Sequence, residues 1–254
     1  MQDTPDKPLR VAVAGAKGRM GSETVRAVQA APDMILVAEL HRGDDLNRLL
    51  AETRPDILVE FSVPESVMEN VRAALSGRVI PLIGTTGISG GGRDEIAALC
   101  ERYETPALIA PNFALGAVLM MRFAAEAARY MPDVEIIEMH HERKLDAPSG
   151  TASRTAEMIA QARNESGVVA KGTPGGAFET APGARGGTVA GVPIHSVRLT
   201  GYVASQEVIF GALGQRLSLR HDSTDRTSFM PGVLLAIRRA RTLSGLVVGL
   251  ENLL

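Results

Sequence analysis

Between His140 and Ala152 the chain reads His-His-Glu-Arg-Lys-Leu-Asp-Ala-Pro-Ser-Gly-Thr-Ala. Three side chains able to carry positive charge and mobile protons, His140, His141 and Lys144, stand just upstream of Ser149-Gly150-Thr151. Asp146-Ala147-Pro148 reads as a turn, and Ser149 as the N-cap of a helix beginning near Thr151. The amides of Gly150 and Thr151 then collect at the helix start, where open N–H donors and positive potential suit an anion. The two histidines adjoin at a strand end, so their side chains diverge to opposite faces. One can face the reaction while the other faces a bound carboxylate, and the divergence argues against both holding one metal. Lys144 adds a compact ammonium that donates a proton or pairs with an anion. The plainer alternative is a solvated His-His pair beside an ordinary cap, and the neighbouring cation and anion-type helix start weigh against it. The chemistry indicated is protonation of an anionic substrate as it reacts.

The elements that must hold these groups follow from periodicity. In the first half, short aliphatic runs alternate with helical stretches. Strands are expected at Leu9–Ala14, Ile35–Glu39, Ile57–Phe61, Val79–Ile83 and Ala107–Ala110, with helices over about 20–30, 65–75 and 93–104. Near-continuous apolar strands separated by helices are what a parallel sheet covered on both faces requires. After Asn112-Phe113 the rhythm changes. A helix over about 117–130 leads to a strand, Val134–Met139, and a second helix over 151–162 follows the His-His run. Ile194–Thr200, Gln206–Gly211 and Arg216–His221 read as three strands of an antiparallel sheet. A last helix, 228–241, ends the ordered core and returns the chain to the first domain. The glycine-rich segment 171–187 is too long for a plain connection and is expected to be a flap or an inter-subunit loop. The fold class is α/β: a Rossmann-type doubly wound parallel sheet plus a smaller α+β domain with a mixed sheet. The first domain takes residues 1–114 and 224–254, and the second takes 115–223.

Composition narrows the function classes. The chain has 254 residues, 45% hydrophobic and 22% charged, with a formal net charge of −2. That is enough for a sizeable core, and it lacks the clustered basic surface of a nucleic-acid binder. Glycines number 26 and prolines 14, against no tryptophan and 4% aromatics, a profile of tight-turned α/β proteins. The single cysteine, Cys100, excludes an internal disulfide and reads as a buried small hydrophobe. No apolar run approaches a membrane span. The first eight residues lack the apolar core of a signal peptide and are expected to be a frayed leader on a cytoplasmic protein.

Gly15-Ala16-Lys17-Gly18-Arg19-Met20-Gly21 follows the first strand and opens the first helix. Glycines there let the backbone approach a pyrophosphate, and the helix start supplies amides. Lys17 replaces the middle glycine of the usual fingerprint, so the context of a βαβ unit carries the assignment. The end of the second strand should meet the adenosine ribose: an acid accepts from the 2′-hydroxyl of NADH, and an arginine welcomes the 2′-phosphate of NADPH. Here Glu39-Leu40-His41-Arg42 stands. If Glu39 points back into the sheet, His41 and Arg42 face the ribose and NADPH is favoured; if Glu39 is the reader, NADH is. Gly84-Thr85-Thr86-Gly87 and Pro111-Asn112-Phe113 follow two further strands, at the carboxyl ends where open α/β sheets bind ligands.

Together these motifs resemble the 4-hydroxy-tetrahydrodipicolinate reductase family of bacterial lysine biosynthesis. The resemblance rests on Gly-x-x-Gly-Arg-Met-Gly, Gly-Thr-Thr-Gly, Pro-Asn-Phe and above all His-His-x-x-Lys-x-Asp-Ala-Pro-Ser-Gly-Thr-Ala. It implies a homotetramer that reduces a cyclic imine diacid with NADPH and/or NADH, with net loss of water, and without a metal. It implies His140 as proton donor and acceptor and Lys144 as a second proton donor. His141, Ser149, Gly150 and Thr151 would hold the substrate carboxylates. Gly15, Ala16, Lys17, Gly18, Arg19 and Met20 would line the cofactor. So would His41, Arg42, Gly84, Thr85, Thr86, Ala110, Pro111, Asn112 and Phe113. Two departures stand out. His41-Arg42 replaces the acid-arginine pair frequent in the family, and the connection from second to third strand is short, which implies few contacts on the adenosine side. Another nicotinamide-dependent imino- or amino-acid dehydrogenase would explain the first half but not Ser149-Gly150-Thr151. A non-catalytic nucleotide sensor would need neither His140 nor Lys144.

Overall fold

The computed structural model describes residues 7–169 and 178–254. Residues 1–6 of the expected eight-residue leader, and residues 170–177, which take in the first part of the expected flap at 171–187, lie outside the described residues. The chain opens with β1 (Leu9–Ala14), α1 (Arg19–Ala30), β2 (Met34–Leu40), α2 (Leu46–Thr53) and β3 (Ile57–Glu60). There follow α3 (Pro64–Ser76), β4 (Ile80–Ile83), α4 (Gly90–Tyr103) and β5 (Ala107–Ile109). The middle holds α5 (Leu115–Ala128), β6 (Asp133–His140), α6 (Gly150–Ser166), β7 (Gly187–Val189), β8 (Val192–Arg198), β9 (Ala204–Ala212) and β10 (Gln215–Ser223). α7 (Met230–Arg239) and β11 (Leu246–Val248) complete it.

Two compact units result, one from residues 1–114 with 226–254, the other from 115–225. The first unit is a six-stranded sheet in the order β11-β5-β4-β3-β1-β2, parallel throughout. β3 and β4 are buried along their whole length, as a sheet covered on both faces demands. Apolar clusters lie on either side of α3: Leu40, Leu50, Leu58 and Val79 toward α2, and Val67, Val71, Ile96 and Cys100 toward α4. Each such side chain contributes roughly 1.5–3 kcal/mol over its exposed state. Cys100 is part of this core, and burial pushes its thiol up to about 11.

The connection between β2 and β3, expected to be short, holds α2. Asp45 caps it, its Oδ1 accepting from Arg48 N at 3.0 Å, and Leu46, Leu49 and Leu50 pack on the core. Two turns of helix are too brief for a clear 3.6-residue period. The expected last helix also does not end the ordered structure. After α7 the chain forms β11, which pairs in parallel with β5 from Leu246↔Ala107 to Val248↔Ile109.

The second unit is a five-stranded mixed sheet, β10-β9-β6-β8-β7. β9 runs antiparallel to both β6 and β10, but β8 runs parallel to β6. The antiparallel expectation therefore holds for two of the three strands read there. The reason is the intervening α6: a helical crossover returns the chain in its original direction. α5 and α6 pack together and against the sheet.

Candidate active site

β6 alternates along its length: Val134, Ile136 and Glu138 point inward and are buried, while Glu135 and Ile137 are half-buried. Glu138 thus arrives on the covered side of the sheet with no solvent exposure. Its carboxylate is surrounded by donors. Oε2 lies 2.5 Å from His140 Nδ1 and accepts from Arg198 Nη1 at 2.9 Å. Oε1 accepts from Arg198 Nη2 at 2.8 Å and from the Ser149 amide at 3.2 Å. Burial alone would push this carboxyl up; hydrogen bonds from His140, Arg198 and Ser196 outweigh it and hold the group down at about 2.

His140, at the end of β6, is half-buried. His141 begins the turn that follows, and its Nδ1 accepts from Arg143 N at 3.2 Å. In that turn Lys144 Nζ donates to both oxygens of Asp146 at 2.8 Å. Asp146 is held below the usual carboxylate range, chiefly by this bond. Ser149 is buried, and its Oγ accepts from Ala152 N at 3.2 Å, which makes it the N-cap of α6. Its side chain therefore shapes the helix start, while Gly150 is exposed with open space beside its Cα. The first turn of α6 carries no acid, so the macrodipole of this 17-residue helix favours an anion there. A second brace holds that turn: Gln206 Nε2 donates to Thr155 Oγ1 at 2.8 Å, and Thr155 Oγ1 donates to the Thr151 carbonyl at 2.7 Å. His140, the Ser149 amide and the Lys144 turn thus meet through Glu138 and Arg198, and Thr151 lies in the separate brace beside them; together these groups can protonate and hold an anionic ligand.

In the first unit the candidate residues sit where the strands end. Gly15 adopts φ +73°, and a Cβ there would stand 2.4 Å from the Phe61 carbonyl oxygen. The amides of Gly15 and Ala16 donate to the Leu40 carbonyl at 3.0 and 3.3 Å. Gly18 is the N-cap of α1 and supplies no side-chain cap, and no acid occupies the first turn. Lys17 and Arg19 are exposed, Met20 half-buried. Gly84 lies against the rings of Phe61 and Phe113, which meet edge to face at 5.6 Å and 69°. Thr85 Oγ1 donates to Glu60 Oε1 at 3.1 Å, and Thr86 is exposed. Ala110 and Phe113 are buried, Pro111 is exposed, and Asn112 Oδ1 accepts from Ala114 N at 2.8 Å. At the end of β2, Glu39 is exposed, Arg42 is exposed, and the His41 amide donates to Asp44 Oδ2 at 2.8 Å. His41 Nδ1 is a buried nitrogen without a partner among the described residues.

Among the residues of these networks that escaped the sequence reading are Glu138, Arg198, Gln206 and Thr155 in the second unit, and Glu60 in the first. Glu60 is fully buried and accepts from the Ser62 amide at 2.9 Å, Asn70 Nδ2 at 3.0 Å and Thr85. The available signal was an acid on an inward strand position, closing β3 at Glu60 and following Ile136-Ile137 in β6 at Glu138, which demands buried partners. Among the described residues no group of three or more His, Cys, Asp or Glu side chains is gathered for a metal, and no helix is long and apolar enough to cross a membrane.

Known proteins resemble this chain over nearly its whole length. Residues 9–113 match the family described as dihydrodipicolinate reductase, N-terminus, and residues 116–254 match dihydrodipicolinate reductase, C-terminus. The 4-hydroxy-tetrahydrodipicolinate reductase of Streptomyces avermitilis is 50% identical over 97% of this chain and 98% of its own. That of Desulfitobacterium hafniense is 48% identical over 98% and 99%. A dihydrodipicolinate reductase from Paenisporosarcina sp. TG-14, solved with dipicolinate bound, superposes with a TM-score of 0.87 at 43% identity, covering 98% of this chain and 100% of that one. The chain belongs to the dihydrodipicolinate reductase family.

Proposed function

We propose that this chain is an NAD(P)H-dependent oxidoreductase that reduces 4-hydroxy-tetrahydrodipicolinate to tetrahydrodipicolinate, with loss of water, in the diaminopimelate route to lysine. The observation that carries the reading is the network around Glu138, which joins His140 to the start of α6 and, through Arg198, to the Lys144 turn. A cyclic dicarboxylate suits it, and a relative holds dipicolinate, a planar ring diacid.

A bound nicotinamide supplies the hydride. His140 and Lys144 meet the negative charge that hydride arrival creates, as proton donors already in place. His141 and the Gly150 and Thr151 amides hold the substrate carboxylates, and Ser149 fixes those amides by capping α6. Gly15 through Met20 carry the pyrophosphate on the uncapped start of α1, which fits an anion. The loops at Gly84-Thr85-Thr86 and Ala110-Pro111-Asn112-Phe113 border the nicotinamide. The unpartnered His41 Nδ1 and the exposed Arg42 take the adenosine end. The backbone of Glu39 lies in β2, but the residue is exposed, so both readers of the ribose are present: the enzyme uses NADPH and NADH, with NADPH preferred. We place it in the cytoplasm as a homotetramer.

The test generates the substrate in place, by enzymatic condensation of pyruvate with aspartate semialdehyde, and follows NADPH and NADH absorbance separately. Oxidation that depends on the condensation product is expected. Folded protein that oxidises neither cofactor would overturn the reading.

A further inference from the structure

Arg198 commits every N–H of its guanidinium. Nε donates to the Lys144 carbonyl at 3.3 Å. Nη1 donates to Glu138 Oε2 at 2.9 Å and to the Val197 carbonyl at 2.8 Å. Nη2 donates to Glu138 Oε1 at 2.8 Å and to the Asp146 carbonyl at 2.6 Å. A guanidinium has five N–H donors in a fixed fork, so none is left for a ligand. Arg198 is therefore a brace, and what it braces is the loop that carries Lys144 and the carboxylate that touches His140.

Glu138 has the same character from the acceptor side. Being fully buried and ionised, it offers acceptor sites alone. The contact with His140 Nδ1 at 2.5 Å must then carry its hydrogen on the imidazole nitrogen. A neutral imidazole with hydrogen on Nδ1 has a bare Nε2, which takes a proton from solvent and, as the imidazolium, donates it to the substrate at the far side of the ring, returning to the Nδ1–H form. The arrangement is the same in logic as a buried carboxylate orienting a catalytic histidine in a hydrolase triad, where the acid sets tautomer and direction without itself being protonated.

We propose that Glu138 is a positioning residue that fixes His140 as the Nδ1–H tautomer with Nε2 toward the substrate, and that Arg198, gripping the same carboxylate, keeps the Lys144 turn in register with it. The proposal rests on His140 and Lys144 being the proton donors of the reaction. It explains why one buried ion pair touches three otherwise separate pieces of chain: the end of β6, the turn at 144–146 and the start of α6. An ion pair that served stability alone would have no need of the His140 and Ser149 contacts.

Long-range proton–nitrogen correlation spectra of the 15N-labelled full chain decide this, with His140 assigned by the resonance missing in His140→Gln. The wild-type chain, at a pH where the ring is neutral, is expected to show hydrogen on Nδ1 of His140. In Glu138→Gln the amide carbonyl stays with Arg198 and its NH2 turns to His140. The ring is then expected to shift its hydrogen to Nε2, and kcat to fall about 100-fold, while KM for NADPH stays within about twofold. A wild-type ring with hydrogen on Nε2 overturns the proposal, whether or not the variant folds. So does a folded Glu138→Gln protein with unchanged tautomer and kcat. Loss of reductase activity in the wild-type chain would instead strike the proposed function, and the tautomer would still be read.

Discussion

Arg198 and Glu138 are joined by two hydrogen bonds of 2.9 and 2.8 Å, although Ser196, not Arg198, lies opposite Glu138 in the strand register. The guanidinium reaches back along β8 by two residues to meet the carboxylate, and the same reach brings it over the Lys144 turn. Glu138 has no exposure and the Arg198 side chain 19%, so the pair is insulated from solvent screening.

That insulation makes the fold acid-sensitive. Glu138 has a folded value of about 2 against an ordinary 4.5. A carboxyl held low in the folded state contributes stability above its unfolded value and loses it as pH falls toward the folded one. About 3 kcal/mol is expected to disappear between roughly pH 4.5 and 2. Urea unfolding at pH 6, 4 and 3 should show a steeper loss for the wild-type chain than for Glu138→Gln. Parallel losses would assign the acid sensitivity to other carboxyls.

Lys144→Ala removes the proposed proton donor and takes the ammonium away from Asp146. Turnover should fall by about 10²–10⁴, with little change in cofactor affinity measured by nucleotide fluorescence titration. An equal loss of both would place Lys144 at the nucleotide.

Gly15→Ala meets two obstacles: the left-handed φ of +73° and the Phe61 carbonyl oxygen 2.4 Å from the new Cβ. The cost should exceed the ~1 kcal/mol by which a strain-free glycine-to-alanine change stabilises, read as a lowered Tm, with at least tenfold weaker NADPH binding. A variant with wild-type Tm and affinity would show that the turn relaxes freely.

Arg42→Ala tests the adenosine end. Its guanidinium suits a 2′-phosphate, so the variant should lose about tenfold in kcat/KM with NADPH and change little with NADH. Equal losses with both cofactors would mean that Arg42 does not read the phosphate.

What was legible in the sequence was what is local in it. Thirteen consecutive residues carry His140, Lys144 and the α6 cap, and the Gly15–Gly21 turn is likewise contiguous. Parallel strands showed as unbroken apolar runs because both their faces are covered. The rest depends on distance along the chain. Glu138 makes sense only beside Arg198, 60 residues away, and no local pattern announces such a partner. β8 takes its direction from the crossover through α6, not from its own residues. β11, three residues long, draws its stability from pairing with β5, and a tripeptide has no periodicity to read.

That last strand has a bearing on how the protein is made. Residues 107–109 leave the ribosome well over a hundred positions before 246–248, yet the two segments lie side by side in one sheet. The middle unit is contiguous and can settle as it emerges, whereas the first sheet must wait with β5 as an open edge. An unpaired parallel edge is a template for other chains. A polypeptide halted before Leu246 would therefore carry a finished centre and an adhesive, unfinished start, the state in which aggregation competes with folding.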